Sequence, residues 1–174
     1  AHVKRPMQHI YSSKVRVRFF APDALMGKEL KLSNEQIRHL KVLRLSNGEK
    51  IGVFDGKGSE FIVDCSEKVR LGTVKLENRA TARTELPLSI SLATAVPKGD
   101  RMSVLVEKVS ELGVNNIVPI ICSRSIVQPR EAKIERLRKI AIEAACQSER
   151  SIVPTVGEPV LFTKLLSYVR NYDQ

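Results

Sequence analysis

The sequence predicts two domains of different class: a small β-barrel over residues 16–80, then a parallel α/β domain over residues 81–174. Three observations carry that expectation. In the first half, short strand-like runs recur around a single helical stretch, with turn signals at Asn47-Gly48 and Asp55-Gly56-Lys57-Gly58. In the second half, the apolar runs 88–96 and 116–121 alternate with amphipathic helices, a pattern that implies parallel strands. Between the halves, residues 78–87 are polar and without period, and read as a linker.

Residues 15–20 alternate apolar side chains with Arg16 and Arg18, the period of a strand with cations on one face. The stretch Leu30-Lys31-Leu32 is expected to pair with it. Ser33-Asn34-Glu35-Gln36 reads as a capping box: the Ser33 hydroxyl can accept from the third helical N–H while Gln36 reaches back. A helix is therefore expected to about residue 43. Ile37, Leu40 and Leu43 or Arg44 mark its inner face, and Arg38, Lys41 and Arg44 its basic surface. Strands are expected at 50–54, 59–66 and 69–77. Gly56 and Gly58 supply the positive φ of a hairpin turn between the first two.

In the second half, Lys98-Gly99-Asp100 breaks the first apolar run, with Asp100 as the expected N-cap. Met102, Leu105, Val106, Val109 and Leu112 fall on one helical stripe, which Gly113 ends. The second run leads into the polar turn Cys122-Ser123-Arg124-Ser125. In a parallel sheet this turn and the Lys98 turn share one edge, the edge where open α/β sheets bind ligands. The next helix, 131–148, buries Ile134, Leu137, Ala141, Ala144 and Ser148, and concentrates Arg130, Lys133, Arg136, Arg138 and Lys139 in its first half. An extended stretch from Val153-Pro154 and a short helix at 162–169 follow.

The chain has 29 Lys and Arg against 19 Asp and Glu, a net charge of +10. That balance favours a polyanionic partner, nucleic acid being the commonest. The excess lies mainly in residues 1–80, at +7, against +3 in the rest. No run of about 18 apolar residues exists, which excludes a helical membrane span. Cys65, Cys122 and Cys146 are scattered, which argues against a disulfide framework or zinc ribbon and for a reducing compartment. Cys122 and Cys146 read as small core residues. His2, His9 and His39 lack metal-ligand spacing. Residues 1–15 read as a flexible basic arm, a foreign remnant or part of a targeting peptide.

Taken in order, these blocks resemble the RsmE family, enzymes that methylate N3 of a uridine in small-subunit (16S) ribosomal RNA. The blocks are RVRFF at 16–20, HLKVLRLSNGEKIGVFDGKG at 39–58, LPLSISLATAVPKGDRMSVLVEKVSELGV at 86–114, IVPIICSRSIV at 117–127 and KIAIEAACQSERSIVP at 139–154. The resemblance implies a PUA-like RNA-binding barrel, then the opening part of a SPOUT-type α/β domain, a class with a deep trefoil knot. It implies S-adenosyl-L-methionine (SAM) as cofactor, small-subunit ribosomal RNA as partner, and a homodimer at full length. Family members continue into a Gly-Pro-Glu-Gly-Gly loop and a Leu-Gly-x-Arg-x-Leu-Arg segment that surround SAM. This chain ends at Gln174 without either. It is therefore expected to lack most of the cofactor pocket and to be inactive alone, the cofactor-binding residues falling beyond Gln174. The competing reading is a non-catalytic RNA-binding module acting in ribosome assembly. The expected location is the cytoplasm, or an organelle if the basic arm is native.

Uridine N3 is a poor nucleophile until its proton leaves. The chemistry asks for a held base, an in-line methyl and a cation near O2 or O4 for the developing anion. It also asks for contacts that offset the few kcal/mol of extruding the base. By the resemblance, Arg18 contacts RNA from the first strand. His39, Lys41 and Arg44 face phosphate from the barrel helix. Lys98 and Arg101 bind phosphate at the strand-end turn, and Arg124 is the strongest single candidate. Gln147, Ser148 and Arg150 match a family block and line the same cleft. Each has a plainer alternative: a solvated face, an edge charge, an ordinary first helical turn or a helix cap. No general base is identifiable, since nothing aims Glu107 or Glu111 at a base, and no metal constellation is present.

Overall fold

The structure is a computed structural model that describes residues 15–80, 85–125 and 130–169. Residues 1–14 of the expected arm and 81–84 of the expected linker lie outside the described residues. The chain groups into two compact units; the turn residues Gly56–Gly58 count with the second, and the break between the units falls after Thr81.

The first unit contains β1 (Val15–Phe20), β2 (Glu29–Lys31), α1 (Asn34–Leu43), β3 (Lys50–Phe54), β4 (Glu60–Asp64), α2 (Glu67–Arg70), β5 (Thr73–Lys75) and β6 (Asn78–Ala80). Its main sheet has the order β1-β3-β4-β6, with β1 parallel to β3 and the other pairs antiparallel. The two-stranded ribbon β2-β5 shares the same core, which gathers Phe19, Leu40, Ile51, Val53, Phe61, Val74 and Leu76.

Three sequence expectations change here. Leu30 pairs with Val74 of β5, not with β1. The expected strand 69–77 splits, because Ser66 accepts from the Val69 N–H and starts the one-turn helix α2, which buries Val69. Gly72, at φ +97, then reverses the chain under Ile37. A Cβ there would come within 2.5 Å of Ile37 Cδ1. The start of the expected linker is a strand: β6 pairs Ala80 with Glu60 and Asn78 with Ile62.

The second unit contains β7 (Ser91–Ala95), α3 (Arg101–Glu111), β8 (Asn116–Ile121), α4 (Glu131–Gln147), β9 (Thr155–Val156), β10 (Val160–Leu161) and α5 (Phe162–Tyr168). β8 is central. β7 lies parallel on one side, with Leu92 opposite Ile117 and Ala95 opposite Ile120. β9 and β10 lie parallel on the other, one strand broken by a bulge: Ile117 faces Val156 while Ile120 faces Val160. Asn116 fixes the register, donating through Nδ2 to Ser91 Oγ at 3.0 Å and accepting from Thr155 Oγ1 at 2.7 Å.

α3 and α4 cover one sheet face, burying Met102, Val106, Ile134, Leu137 and Ala141 against Ile117. Ala144 and Ala145 are also buried on α4. The predicted α3 stripe fails at its end, where Leu112 is 75% exposed. It follows the last helical turn, and Gly113 at φ +103 turns the chain away. Ser110 is buried instead, its hydroxyl satisfied by the Val106 carbonyl at 2.6 Å. Asp100 occupies the N-cap of α3 without a side-chain capping bond. Cys122 and Cys146 are half-buried, and Cys65 is the cysteine the core encloses.

Candidate nucleic-acid interface

In the first unit the capping box forms as read. Gln36 N–H donates to Ser33 Oγ at 3.2 Å, and Ser33 N–H donates to Gln36 Oε1 at 2.8 Å. This start sets the rotation of α1, so that Leu40 turns inward while Arg38, His39, Lys41 and Arg44 stay exposed. The exposed His39 ring meets Phe19 edge-on at 6.0 Å. Arg44 ends α1 at φ 48 and ψ 45, the left-handed cap that glycine usually fills.

Arg18 is not on that surface. Its Nε donates to Glu60 Oε1 at 2.8 Å, and its guanidinium lies 4.7 Å from the Phe54 ring centroid. Both charged residues are buried. The space is made by Gly52, opposite Arg18 in β3, where a Cβ would sit 3.0 Å from both Arg18 Cγ and Glu60 Oε1. A guanidinium enclosed this way supports the domain and does not reach a phosphate.

In the second unit the parallel register levels the carboxyl ends of β7 and β8. Lys98 follows the end of β7 and Arg124 follows the end of β8, so both reach the same edge. The turn that carries Arg124 is closed by Cys122 N–H to Ser125 Oγ and Ser125 N–H to the Cys122 carbonyl, both 2.9 Å. α3 starts on this edge at Arg101. Lys98, Arg101 and Arg124 are all exposed there.

Gln147, Ser148 and Arg150 do not line that cleft. α4 leaves the rim and runs along the sheet for 17 residues, roughly 25 Å. Ser148 Oγ donates back to the Ala144 carbonyl, a helix-end bond. Glu149 at φ 60 then swings Arg150 inward. Arg150 Nη1 donates to the carbonyls of Ser110 and Val114 at 2.8 and 3.0 Å, and Nη2 to Glu85 Oε2 at 2.7 Å. The other Glu85 oxygen accepts the backbone N–H groups of Ser151 and Ile152 at 2.8 and 2.9 Å. Arg150, 2% exposed, clamps the amino end of the sheet.

Glu107 and Glu111 both bind Lys108 on α3, and the two carboxylates hold its ammonium above its usual pKa. Bonds from Glu135 and Glu158 likewise raise Arg138, which also donates to the Val156 carbonyl and so anchors the β9–β10 bulge to α4. On the sheet face opposite α3 and α4, a groove of about 390 Å³ is lined by Ser89, Ser91, Ala93, Val118, Leu165 and Val169. It offers hydroxyls and apolar surface and no carboxylate.

Comparison with known proteins decides what this arrangement belongs to. An RNA methyltransferase domain model matches residues 84–174, and an RNA methyltransferase PUA domain model matches residues 32–75. The chain belongs to this RNA methyltransferase family. Among its curated relatives, a ribosomal RNA small subunit methyltransferase E from Synechocystis is 33% identical over 150 residues, covering 86% of this chain and 49% of the relative. The protein of the same name from Bacillus subtilis is 30% identical over 152 residues, covering 82% and 58%. The chain thus spans about half the length of the curated relatives it matches. A ribosomal RNA small subunit methyltransferase E from Neisseria gonorrhoeae, solved bound to S-adenosyl methionine, superposes with a TM-score of 0.73 at 33% identity, covering 86% of this chain and 64% of that one. A Legionella pneumophila protein solved with bound SAM gives 0.71 at 30% identity, covering 91% and 67%. The family resemblance read from the sequence holds in both halves: a PUA domain, then a methyltransferase α/β domain.

Proposed function

We propose that the protein serves SAM-dependent methylation of N3 of a uridine in small-subunit ribosomal RNA. In this reading it acts as a homodimer in the cytoplasm when it has the full length of its relatives. The observation that carries the proposal is the second unit's parallel-strand rim with Lys98, Arg101 and Arg124 on it, in a chain of net charge +10 that is one-third identical to a SAM-bound methyltransferase of small-subunit RNA. The exposed cations of α1 add a second basic surface, on the PUA domain.

SAM supplies a sulfonium methyl group ready for displacement. The described residues do not complete a pocket for it. The groove beside β7 presents no carboxylate for the ribose hydroxyls or the sulfonium. What the chain does is hold RNA. In this reading Arg124, exposed on a turn at the rim closed by two hydrogen bonds, is the cation that meets the base. A guanidinium there stabilises charge on O2 or O4 as N3 loses its proton. Glu107 and Glu111 pair with Lys108, and this reading gives neither the role of base.

Labelled methyl transfer by the protein at its relatives' full length, followed by mass spectrometry of the digested RNA, tests the assignment. 3-Methyluridine is expected. Methyl on a ribose or on another base overturns it. Calorimetry on the 174-residue chain is expected to show no tight SAM binding.

A further inference from the structure

Pairing of the arginines in the second unit is segregated. Away from the carboxyl edge of the sheet, Arg138 is engaged by Glu135 and Glu158, Arg150 by Glu85, and Lys108 by Glu107 and Glu111, while the isolated lysines Lys139 and Lys164 have no acidic partner among the described residues. On that edge and along the first turns of α4 the pattern reverses. Lys98, Arg101, Arg124, Arg130 and Lys133 have no acidic partner among the described residues. Arg136 has one distant contact, 3.7 Å to Asp100, between side chains 67% and 83% exposed. An exposed pair of that length contributes almost nothing to stability. The acids of these segments are Asp100, Glu131 and Glu135, and Glu135 is taken by Arg138.

The Arg136–Asp100 distance shows where the strip runs: the second turn of α4 lies beside the N-terminus of α3, held there by the apolar packing of the two helices. The cations of the Lys98 turn therefore continue directly into those of α4. A fold that neutralises its arginines elsewhere leaves this strip uncompensated, and a solvated face needs no such sorting. We propose that Arg130, Lys133 and Arg136 on α4 form a track for RNA backbone phosphates, continuous with Lys98 and Arg101. The track holds the strand flanking the target nucleotide without reading its sequence. This inference rests on the RNA-methylating reading above and adds α4 as the surface that sets RNA register. Phosphate contacts of this kind position a nucleic acid and leave the choice of base to others.

The test is the salt dependence of binding to a small-subunit RNA fragment, for the parent chain and three variants. Each phosphate neutralised by a protein cation contributes about −0.7 to the slope of log K against log salt for single-stranded RNA. The triple variant Arg130→Ala/Lys133→Ala/Arg136→Ala is expected to bind at least about tenfold more weakly, with a slope shallower by about 2, the three lost contacts together. The loss is expected to be the same for RNAs of different sequence. The double lysine replacement Arg130→Lys/Arg136→Lys, with Lys133 kept, retains the parent slope. Lys108→Ala, which removes an already neutralised cation, leaves it unchanged. Circular dichroism establishes that each variant is folded. A triple alanine variant that is folded and keeps the parent slope overturns the track while the methylation reading stands. A parent chain with no salt-dependent affinity for RNA overturns both.

Discussion

Arg150 shows how residue identity misleads when its surroundings are hidden. The block that carries it resembles a family segment, and the sequence reading put it in an RNA cleft; the structure puts it at the opposite edge under Glu85. Its contribution is large because the guanidinium is buried and Glu85, its partner, keeps only 14% of its side chain exposed. Removing one member of a buried ion pair strands the other charge at a cost of about 3–5 kcal/mol. Arg150→Ala is expected to lose stability in that range by denaturant titration, whereas Arg124→Ala, at an exposed turn, is expected to change it by less than about 0.5 kcal/mol. Nothing in the local sequence near position 150 announced the partner, since Glu85 lies 65 residues away. For Arg18 a signal did exist. Gly52 interrupts the apolar strand KIGVF, and a glycine inside a strand marks a close approach, here that of the guanidinium. Arg44 carries the opposite lesson. It stands in the left-handed cap at a cost of about 1 kcal/mol against glycine. Arg44→Gly is expected to stabilise α1 by up to about that amount while weakening RNA binding, so a melt and a binding curve move in opposite directions. An Arg44→Gly variant whose RNA affinity equals the parent's contradicts the proposed role of Arg44 in binding RNA.

Elements were legible where local chemistry and tertiary packing agreed. α1 follows its capping box, and β8 spans the residues its apolar run marked. Disagreement concentrated where packing decided. Residues 69–77 intersperse apolar and polar side chains as a strand does, yet the Ser66 cap and the space under Ile37 favour a helical turn followed by Gly72. β6 consists of Asn78, Arg79 and Ala80, which have no strand signature, and exists because β4 offers an unpaired edge. The rim of the second unit was readable because parallel pairing alone levels two strand ends, whatever the side chains are. At this scale pH enters through α3. Lys108 has its pKa raised by Glu107 and Glu111. A raised folded pKa gives stability that is complete below the unfolded value of 10.5 and is lost as pH rises through the higher folded value. The chain is thus expected to lose a small increment of stability only above pH 10.5, and Glu107→Gln/Glu111→Gln is expected to flatten that part of the curve.

Across the whole molecule, each unit has its own apolar core and its own buried arginine paired with a glutamate, Arg18 with Glu60 in the first and Arg150 with the half-buried Glu85 in the second. The clusters share no residue. A core that closes on itself is a cooperative unit, and a chain with two of them departs from simple two-state unfolding. The matched pairs make that separable by experiment. In each, the carboxylate comes from far along the chain, 42 residues for Arg18 and 65 for Arg150, so losing either side chain undoes long-range closure of its own unit. Scanning calorimetry of the parent chain is expected to resolve two components. Glu60→Gln or Arg18→Ala should lower the component of the PUA unit, and Arg150→Ala that of the methyltransferase unit, each by more than about 10 °C at the stated 3–5 kcal/mol. The component of the untouched unit should move by less. If both components fell together for both substitutions, the two cores would have to melt as one, and the assignment of one buried arginine to each would lose its energetic meaning.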